Sequence, residues 1–393
     1  MSERPIYLDY AATTPVDPRV MDMMLGYLGP GGEFGNPGSI THVYGARAAA
    51  AVEEARAQVA ALLDAEPREI VFTSGATESI NLALQGAARA NARRGRHIVT
   101  CKSEHKAVLD TCHHLERQGF AVTYLDPSPD GRLEPEAVAA ALRPDTVLVS
   151  LMHVNNETGV VQDLAALAAL TRAHGVLLHV DAAQSAGKLP LDVQAVPGID
   201  LLSLSGHKLY APKGVGALYV RRFPKVRLEP LLYGGGQERG LRSGTLAVHQ
   251  IVALGAACRI AREEMASEQA RIAALRQRLW QGLSALPGVR LNGHPERRVA
   301  GILSVAFPGL DGEALLADLP GLALSAGSAC TSASNEPSHV LKALGLPDHL
   351  ARASLRFSLG RWTTAAEVDI ALTQVTAAVR RLRALSPLWP DAA

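Results

Sequence analysis

Two stretches, Leu177-Leu178-His179-Val180-Asp181-Ala182-Ala183-Gln184 and Leu201-Leu202-Ser203-Leu204-Ser205-Gly206-His207-Lys208, decide the fold class. Each opens as an apolar run of strand length and stops at a charged or polar group, as expected of a strand buried on both faces whose carboxyl end opens onto a loop. Working outward, runs of the same kind occur at 69–73, 97–101, 122–125, 146–151 and 216–220. Segments of helical period fill the gaps between them, so residues from about 45 to 220 predict an α/β unit with a largely parallel sheet. A helix is expected at 163–174, where Asp163 would cap the first free N–H groups and Gly175 would end it in a left-handed conformation. From 247 to 286 the helical pattern outruns a typical globular helix before Pro287-Gly288 closes it, which predicts a break or kink around 263–267. Beyond it lie expected strands at 302–307 and 353–357 and a last helix at 365–385. The expected division is a large domain, 16–261, and a small domain formed by 1–15 and 262–393.

Composition narrows the class. The 393 residues are 48% hydrophobic and 20% charged, an ordinary globular balance, and too many for one typical domain. A net charge of +1 provides no general field toward nucleic acid or membrane, so neither is an expected partner. The cations of Arg93-Arg94-Gly95-Arg96 read as solvated charges at a helix end. No apolar stretch follows a basic leader at the amino terminus, and a cytoplasmic location is expected. The four cysteines, Cys101, Cys112, Cys258 and Cys330, form no C-x-x-C pair, so reduced thiols are the expectation.

Chemistry concentrates at strand ends. Phe72-Thr73-Ser74-Gly75-Ala76-Thr77-Glu78 passes from a strand through small residues into a helix, where backbone N–H groups and hydroxyls can hold a phosphate. Taken alone, such a turn serves equally as a plain helix cap. Asp181 places a carboxylate where α/β sheets bind ligands, suited to a pyridinium nitrogen or to an ordinary ion pair. Lys208 follows a strand at the same expected sheet end, where an amine can form a Schiff base with an aldehyde cofactor. The three together point to pyridoxal 5'-phosphate (PLP).

A set of motifs then carries a resemblance. Tyr7-Leu8-Asp9-Tyr10-Ala11-Ala12-Thr13-Thr14-Pro15, Gly35-Asn36-Pro37, Ser74-Gly75-Ala76-Thr77-Glu78, His153-Val154-Asn155-Asn156-Glu157, Ser205-Gly206-His207-Lys208, Arg242-Ser243-Gly244-Thr245 and Gly327-Ser328-Ala329-Cys330-Thr331-Ser332 resemble the class V aminotransferase family, and within it cysteine desulfurases of the NifS/IscS type. The resemblance implies the PLP-dependent transferase fold type I: a large domain with a mainly parallel seven-stranded sheet and a smaller α/β carboxyl-terminal domain. It implies Lys208 as the lysine joined to the cofactor, Asp181 as partner of the pyridine nitrogen, Gln184 as donor to the ring hydroxyl oxygen and Asn156 as a further ring contact. His105 would stack on the ring and help move protons. Ala76, Thr77, Ser205 and His207 would hold the phosphate of their own subunit and Thr245 that of the neighbour, which makes the protein a homodimer. Arg356, assisted by Asn36, would grip the carboxylate of L-cysteine, for which a guanidinium fork is suited.

Cys330 lies among small and hydroxyl residues with no apolar stripe, a segment expected to be exposed and mobile, where a thiol can react. The other cysteines close a strand or sit in helical segments and read as small hydrophobes. The implied reaction removes sulfur from L-cysteine, leaving alanine and a Cys330 persulfide for an IscU-like iron–sulfur scaffold protein and other acceptors, tRNA thiolation among them. A thiolate that faces a scaffold can also ligate a cluster iron transiently, and Cys330 is the residue this would fall on. A PLP lyase or aminotransferase acting on another amino acid, and a sulfur-relay scaffold that kept the fold, remain alternatives. Cys330 separates the first from a desulfurase and Lys208 the second.

Overall fold

The computed structural model describes residues 4–326, 336–387 and 389. In chain order its elements are β1 (Ile6–Tyr7), α1 (Pro18–Leu25), α2 (Val43–Leu62), β2 (Ile70–Thr73), α3 (Ala76–Ala90), β3 (His97–Cys101), α4 (Lys106–Glu116), β4 (Ala121–Leu125), α5 (Pro135–Ala141), β5 (Thr146–Met152), α6 (Leu164–Ala173), β6 (Leu177–Asp181), β7 (Leu201–Ser205) and β8 (Gly216–Val220). They continue with α7 (Val248–Ser284), β9 (Arg290–Leu291), β10 (Ile302–Ala306), α8 (Gly312–Ala317), β11 (Leu322–Ala323), β12 (Ser325–Ala326), α9 (His339–Ala343), α10 (Asp348–Arg352), β13 (Ser354–Ser358) and α11 (Ala365–Leu385).

The apolar runs of β2, β3, β5, β7 and β8 are buried at every position because helices cover both faces of their sheet. That seven-stranded sheet has the order β2-β8-β7-β6-β5-β3-β4 and is parallel except for β8, which is antiparallel to both neighbours. One face packs under α2, α6 and the first half of α7, through residues such as Val52, Leu167 and Leu254. The other packs under α3 and α4, through Ile80, Leu84, Val108 and Leu115. Asp163 caps α6 by accepting from the Ala166 N–H at 3.1 Å, and Gly175 leaves that helix at φ +62.

A second core gathers Leu279, Leu303, Phe307, Leu355, Phe357 and Val375 around the four-stranded sheet β12-β13-β10-β9. Leu8 belongs to this core, and β1 pairs in parallel with β11, which carries the amino-terminal arm across to it.

The expected break at 263–267 does not occur: α7 runs unbroken over 37 residues and joins the two cores. The stretch holds no Gly or Pro, and its polar side chains have partners. Glu264 pairs with Arg19 at 2.5 Å, Glu268 with Arg361 at 2.6 Å, and both arginines also hold Asp17. Polarity there marks a face turned to an ion-pair network, and no interruption of the backbone.

Candidate active site

The register of the large sheet brings the expected groups together. Thr73 pairs with Gly216, Gly216 with Ser205, Asp181 with Ser203 and Met152 with Asp181, so the turns after β2, β7, β6 and β5 leave one edge side by side. This is the carboxyl edge of the parallel strands, where open α/β sheets bind ligands.

At this edge α3 starts at Ala76, with Gly75 as its cap residue at φ +151. The N–H groups of Ala76 and Thr77 are therefore among the first-turn donors that no helix carbonyl can satisfy. A side chain at Gly216 would run into Gly75, its Cβ falling 2.6 Å from the Gly75 Cα, so Gly216 stays bare, while at Gly75 the φ of +151 favours glycine. The turn is braced by Thr73 and Ser79, whose hydroxyls share a bond of 2.8 Å, and by Glu78, which accepts from the Ser74 N–H and pairs with Arg242 at 2.8 Å. Ser205 Oγ lies close against Gly75. His207 bonds Thr13 Oγ1 through Nδ1 at 3.1 Å, and burial with nearby lysines holds its pKa down to about 4. A neutral ring so placed can donate or accept but carries no charge at neutral pH.

Asp181 is 3% exposed and its Oδ1 accepts from the Ala183 N–H at 2.9 Å. Lys208 ends the short turn of 3-10 helix Gly206–Lys208 that follows β7. His105 precedes α4, its Nδ1 accepting from the Ala107 N–H at 3.1 Å. Burial first, then the Lys208 charge, lower its pKa, so the imidazole is a neutral base. Gln184 is 2% exposed, donates to the Ala11 carbonyl at 2.8 Å and accepts from Lys188 at 2.9 Å. The Asn156 Oδ1 is buried with no partner among the described residues, the mark of a site with a group still to be bonded.

Arg356, on β13, is 2% exposed and reaches across to this edge. It donates to the Asn156 carbonyl at 2.8 Å, the Asp9 carboxylate at 2.8 Å and Ser325 Oγ at 3.2 Å, while its Nε has no partner among the described residues. Asn36 and Thr245 sit apart from it. They line, with Arg56 and Glu238, a different cavity of about 280 Å³ that neither Lys208 nor Asp181 borders. Cys330 lies outside the described residues. Cys101, Cys112 and Cys258 are buried, and burial raises the thiol pKa of each.

The model of the family "Aminotransferase class-V" matches residues 6–371. The cysteine desulfurase IscS of Tolumonas auensis is 60% identical over 385 residues, 98% of this chain and 95% of that protein, and the IscS of Aeromonas hydrophila is matched to the same extent. The chain belongs to the class-V aminotransferases, among the cysteine desulfurases of the NifS/IscS type. Among solved structures, a NifS-like protein superposes with a TM-score of 0.88 at 37% identity, covering 96% of this chain and 99% of that one. A structure described as SspA in complex with cysteine superposes with a TM-score of 0.81 at 40% identity, covering 91% of this chain and all of that one (100%).

The family is PLP-dependent, and the groups at the sheet edge fit that cofactor. A helix amino terminus suits its phosphate, a buried strand-end carboxylate its ring nitrogen and an amine its aldehyde, and an Asn156 oxygen with no partner among the described residues suits a ring contact. Among the described residues no group of three or more His, Cys, Asp or Glu side chains is placed to hold a metal ion, and no helix is long and apolar enough to cross a membrane.

The desulfurase fold also assembles residues that pattern reading passed over. Glu104, just before His105, is fully enclosed; its Oε1 accepts from the Met152 N–H at 2.8 Å, its Oε2 has no partner among the described residues, and burial raises its pKa well above the carboxylate range. The His105 turn is thereby tied to the end of β5. His339 Nε2 bonds the Glu104 carbonyl at 3.0 Å, and Ser338 donates to Glu157. The one signal in the sequence was the acid beside each recognised residue, Glu104 next to His105 and Glu157 next to Asn156.

Proposed function

We propose that this chain carries out cysteine desulfuration with Lys208, His105, Arg356 and Cys330 as its working residues. What supports the reading best is the convergence of Asp181, Lys208, His105 and the first turn of α3 on one sheet edge, in a chain 60% identical to IscS proteins. PLP, when bound, supplies an electron sink for the pair left at the substrate Cα. Asp181 holds the ring nitrogen charged, Gln184 and Asn156 meet the ring, and Ala76, Thr77, Ser205 and His207 take the phosphate. Arg356 exchanges its bond to Asp9 for the carboxylate of L-cysteine; Asn36, which lines a different cavity of the same chain, would assist only from a neighbouring subunit. Lys208 takes the Cα proton, and neutral His105 accepts or returns one beside it. The Cys330 thiolate attacks the substrate sulfur. The carbon–sulfur bond breaks with its electrons passing to carbon, which is protonated to give alanine, and the sulfur remains on Cys330 as a persulfide.

The large domain, 16–261, would carry the cofactor, and the small domain, 1–15 with 262–393, would carry the Cys330 segment. The persulfide would pass in the cytoplasm to an iron–sulfur scaffold protein of the IscU kind or to a tRNA-thiolation relay. The same thiolate would be able to ligate a cluster iron shared with that scaffold. The test is to give the purified protein L-cysteine and a thiol reductant and count products. Alanine and sulfide should appear in equal amounts, Cys330→Ala should keep the visible band of the bound cofactor while losing about 100-fold or more of sulfide formation, and Lys208→Ala should lose the band. Sulfide at the normal rate from Cys330→Ala would refute the role given to that thiol.

A further inference from the structure

Lys188 stands four residues beyond Gln184, after a tight turn at Gly187, whose φ is +68 and where an added Cβ would fall 2.1 Å from Leu209 Cδ1. That turn brings the lysine back toward the amide. Lys188 Nζ donates to Gln184 Oε1 at 2.9 Å, and Gln184 Nε2 donates to the Ala11 carbonyl at 2.8 Å. An ammonium can only donate and a carbonyl can only accept, so these neighbours leave the amide one orientation. Its nitrogen carries a second hydrogen, for which the described residues supply no further acceptor.

The charges around Lys188 are unbalanced. Lys208 and Arg356 repel it, Glu268 attracts it, and its own charge bears on His207. Among the described residues no carboxylate forms an ion pair with it; Glu268 is taken by Arg361 at 2.6 Å. Together with Tyr10, Thr14, Tyr210 and Glu268 it lines a cavity of about 20 Å³ between the amino-terminal arm and α7, room for about one water. Burial holds the ammonium pKa down to about 7. A cation kept in so unfavourable a place, bonded to a residue of the cofactor site, is unlike the surface lysines of this chain.

We infer that Lys188 is a positioning residue: through its bond to Gln184 it fixes the orientation of the amide that meets the cofactor's ring oxygen, and it sets a positive charge behind that amide. The inference rests on the cofactor site proposed above. While protonated, at pH below about 7, the Lys188 ammonium would leave the second Gln184 N–H open to the ring oxygen, and its charge would disfavour the protonated, more positive form of the cofactor joined to Lys208.

The experiment follows the visible absorption of the bound cofactor against pH, and the affinity of the apoprotein for PLP, in the wild type, Lys188→Met, Lys188→Gln and Lys188→Arg. Lys188→Met should move the spectral midpoint up by about one pH unit, the effect of losing one neighbouring charge in a partly dry site, and weaken PLP binding about tenfold through the freed amide. Lys188→Gln, which keeps a donor without the charge, should show the upward shift with affinity within about twofold of wild type. Lys188→Arg should restore the midpoint. A Lys188→Met or Lys188→Gln protein with wild-type midpoint and affinity, whatever its melting temperature, would overturn the role of Lys188 alone. A wild type without a visible band would overturn the assignment of Lys208 and Asp181, and this inference with it.

Discussion

Glu157 is 3% exposed, and burial pushes its pKa up to about 7 despite the Ser338 hydroxyl and the nearby Arg356, which act in the opposite direction. Asn155 shapes the turn that encloses it, accepting from the N–H groups of Glu157 and Thr158 at 2.9 Å each. Ser338 in turn caps α9 through the Leu341 N–H, so the acid is bonded to the residue that starts that helix. An acid with a raised pKa keeps its proton in the folded chain after the unfolded chain has lost it. The folded state therefore binds more protons between the ordinary Glu value of 4.5 and about 7, and stability falls across that window as pH rises. The full loss amounts to roughly 3 kcal/mol once both states are ionised. Glu157→Gln keeps an acceptor for Ser338 and cannot ionise. Urea unfolding should find it more stable than wild type at pH 8 by about 2 kcal/mol and nearly equal at pH 5. Equal stability at both values would mean that Glu157 is ionised in the fold at little cost.

At the scale of elements, long strands and helices were readable because burial on both faces leaves an uninterrupted apolar run, and the carboxyl-end positions of Asp181 and Lys208 followed from those runs. The strands β1, β9, β11 and β12 span two residues each, too short for any period to show. Pairings such as Ser338 with Glu157, 181 residues apart, leave no trace in local pattern. His105, Asn156 and Arg356 were reached only through resemblance, since a histidine before a helix or an arginine on a strand has many ordinary explanations. The break assigned to α7 failed for a related reason: it was inferred from length alone, and the partners that hold this stretch, Arg19 and Arg361, lie far away in sequence. Continuity there has a measurable consequence. Ala266 is exposed in mid-helix, so Ala266→Gly should cost about 1 kcal/mol and Ala266→Pro about 3 kcal/mol or more, read as lowered urea midpoints. A proline tolerated at Ala266 would restore the break.

At the scale of the whole molecule, two of the expected site residues lie apart from the sheet edge within one chain. Thr245 and Asn36 face a cavity that Lys208 and Asp181 do not border, and a further cavity of about 330 Å³ lies over Ser74, Thr77 and Arg242 beside the phosphate turn. Large apolar side chains are left in solvent along the same regions, among them Phe34 at 54%, Ile40 at 77%, Tyr44 at 50% and Tyr233 at 76% exposure. Apolar surface of this kind, next to cavities lined by site residues, suits an isologous contact in which each subunit lends side chains to the other. If Thr245 serves the neighbour's phosphate, Lys208→Ala and Thr245→Arg are lesions of opposite subunits. A mixed dimer then gathers both lesions in one site and leaves the other intact. Coexpressed in equal amounts, the two inactive variants should recover about a quarter of the wild-type sites, since half of the dimers formed by random pairing are mixed and each has one sound site of two. Should Thr245 act within its own subunit, each site of the mixed dimer carries one lesion and no activity returns, so desulfuration measured on the mixture distinguishes a shared site from two separate ones.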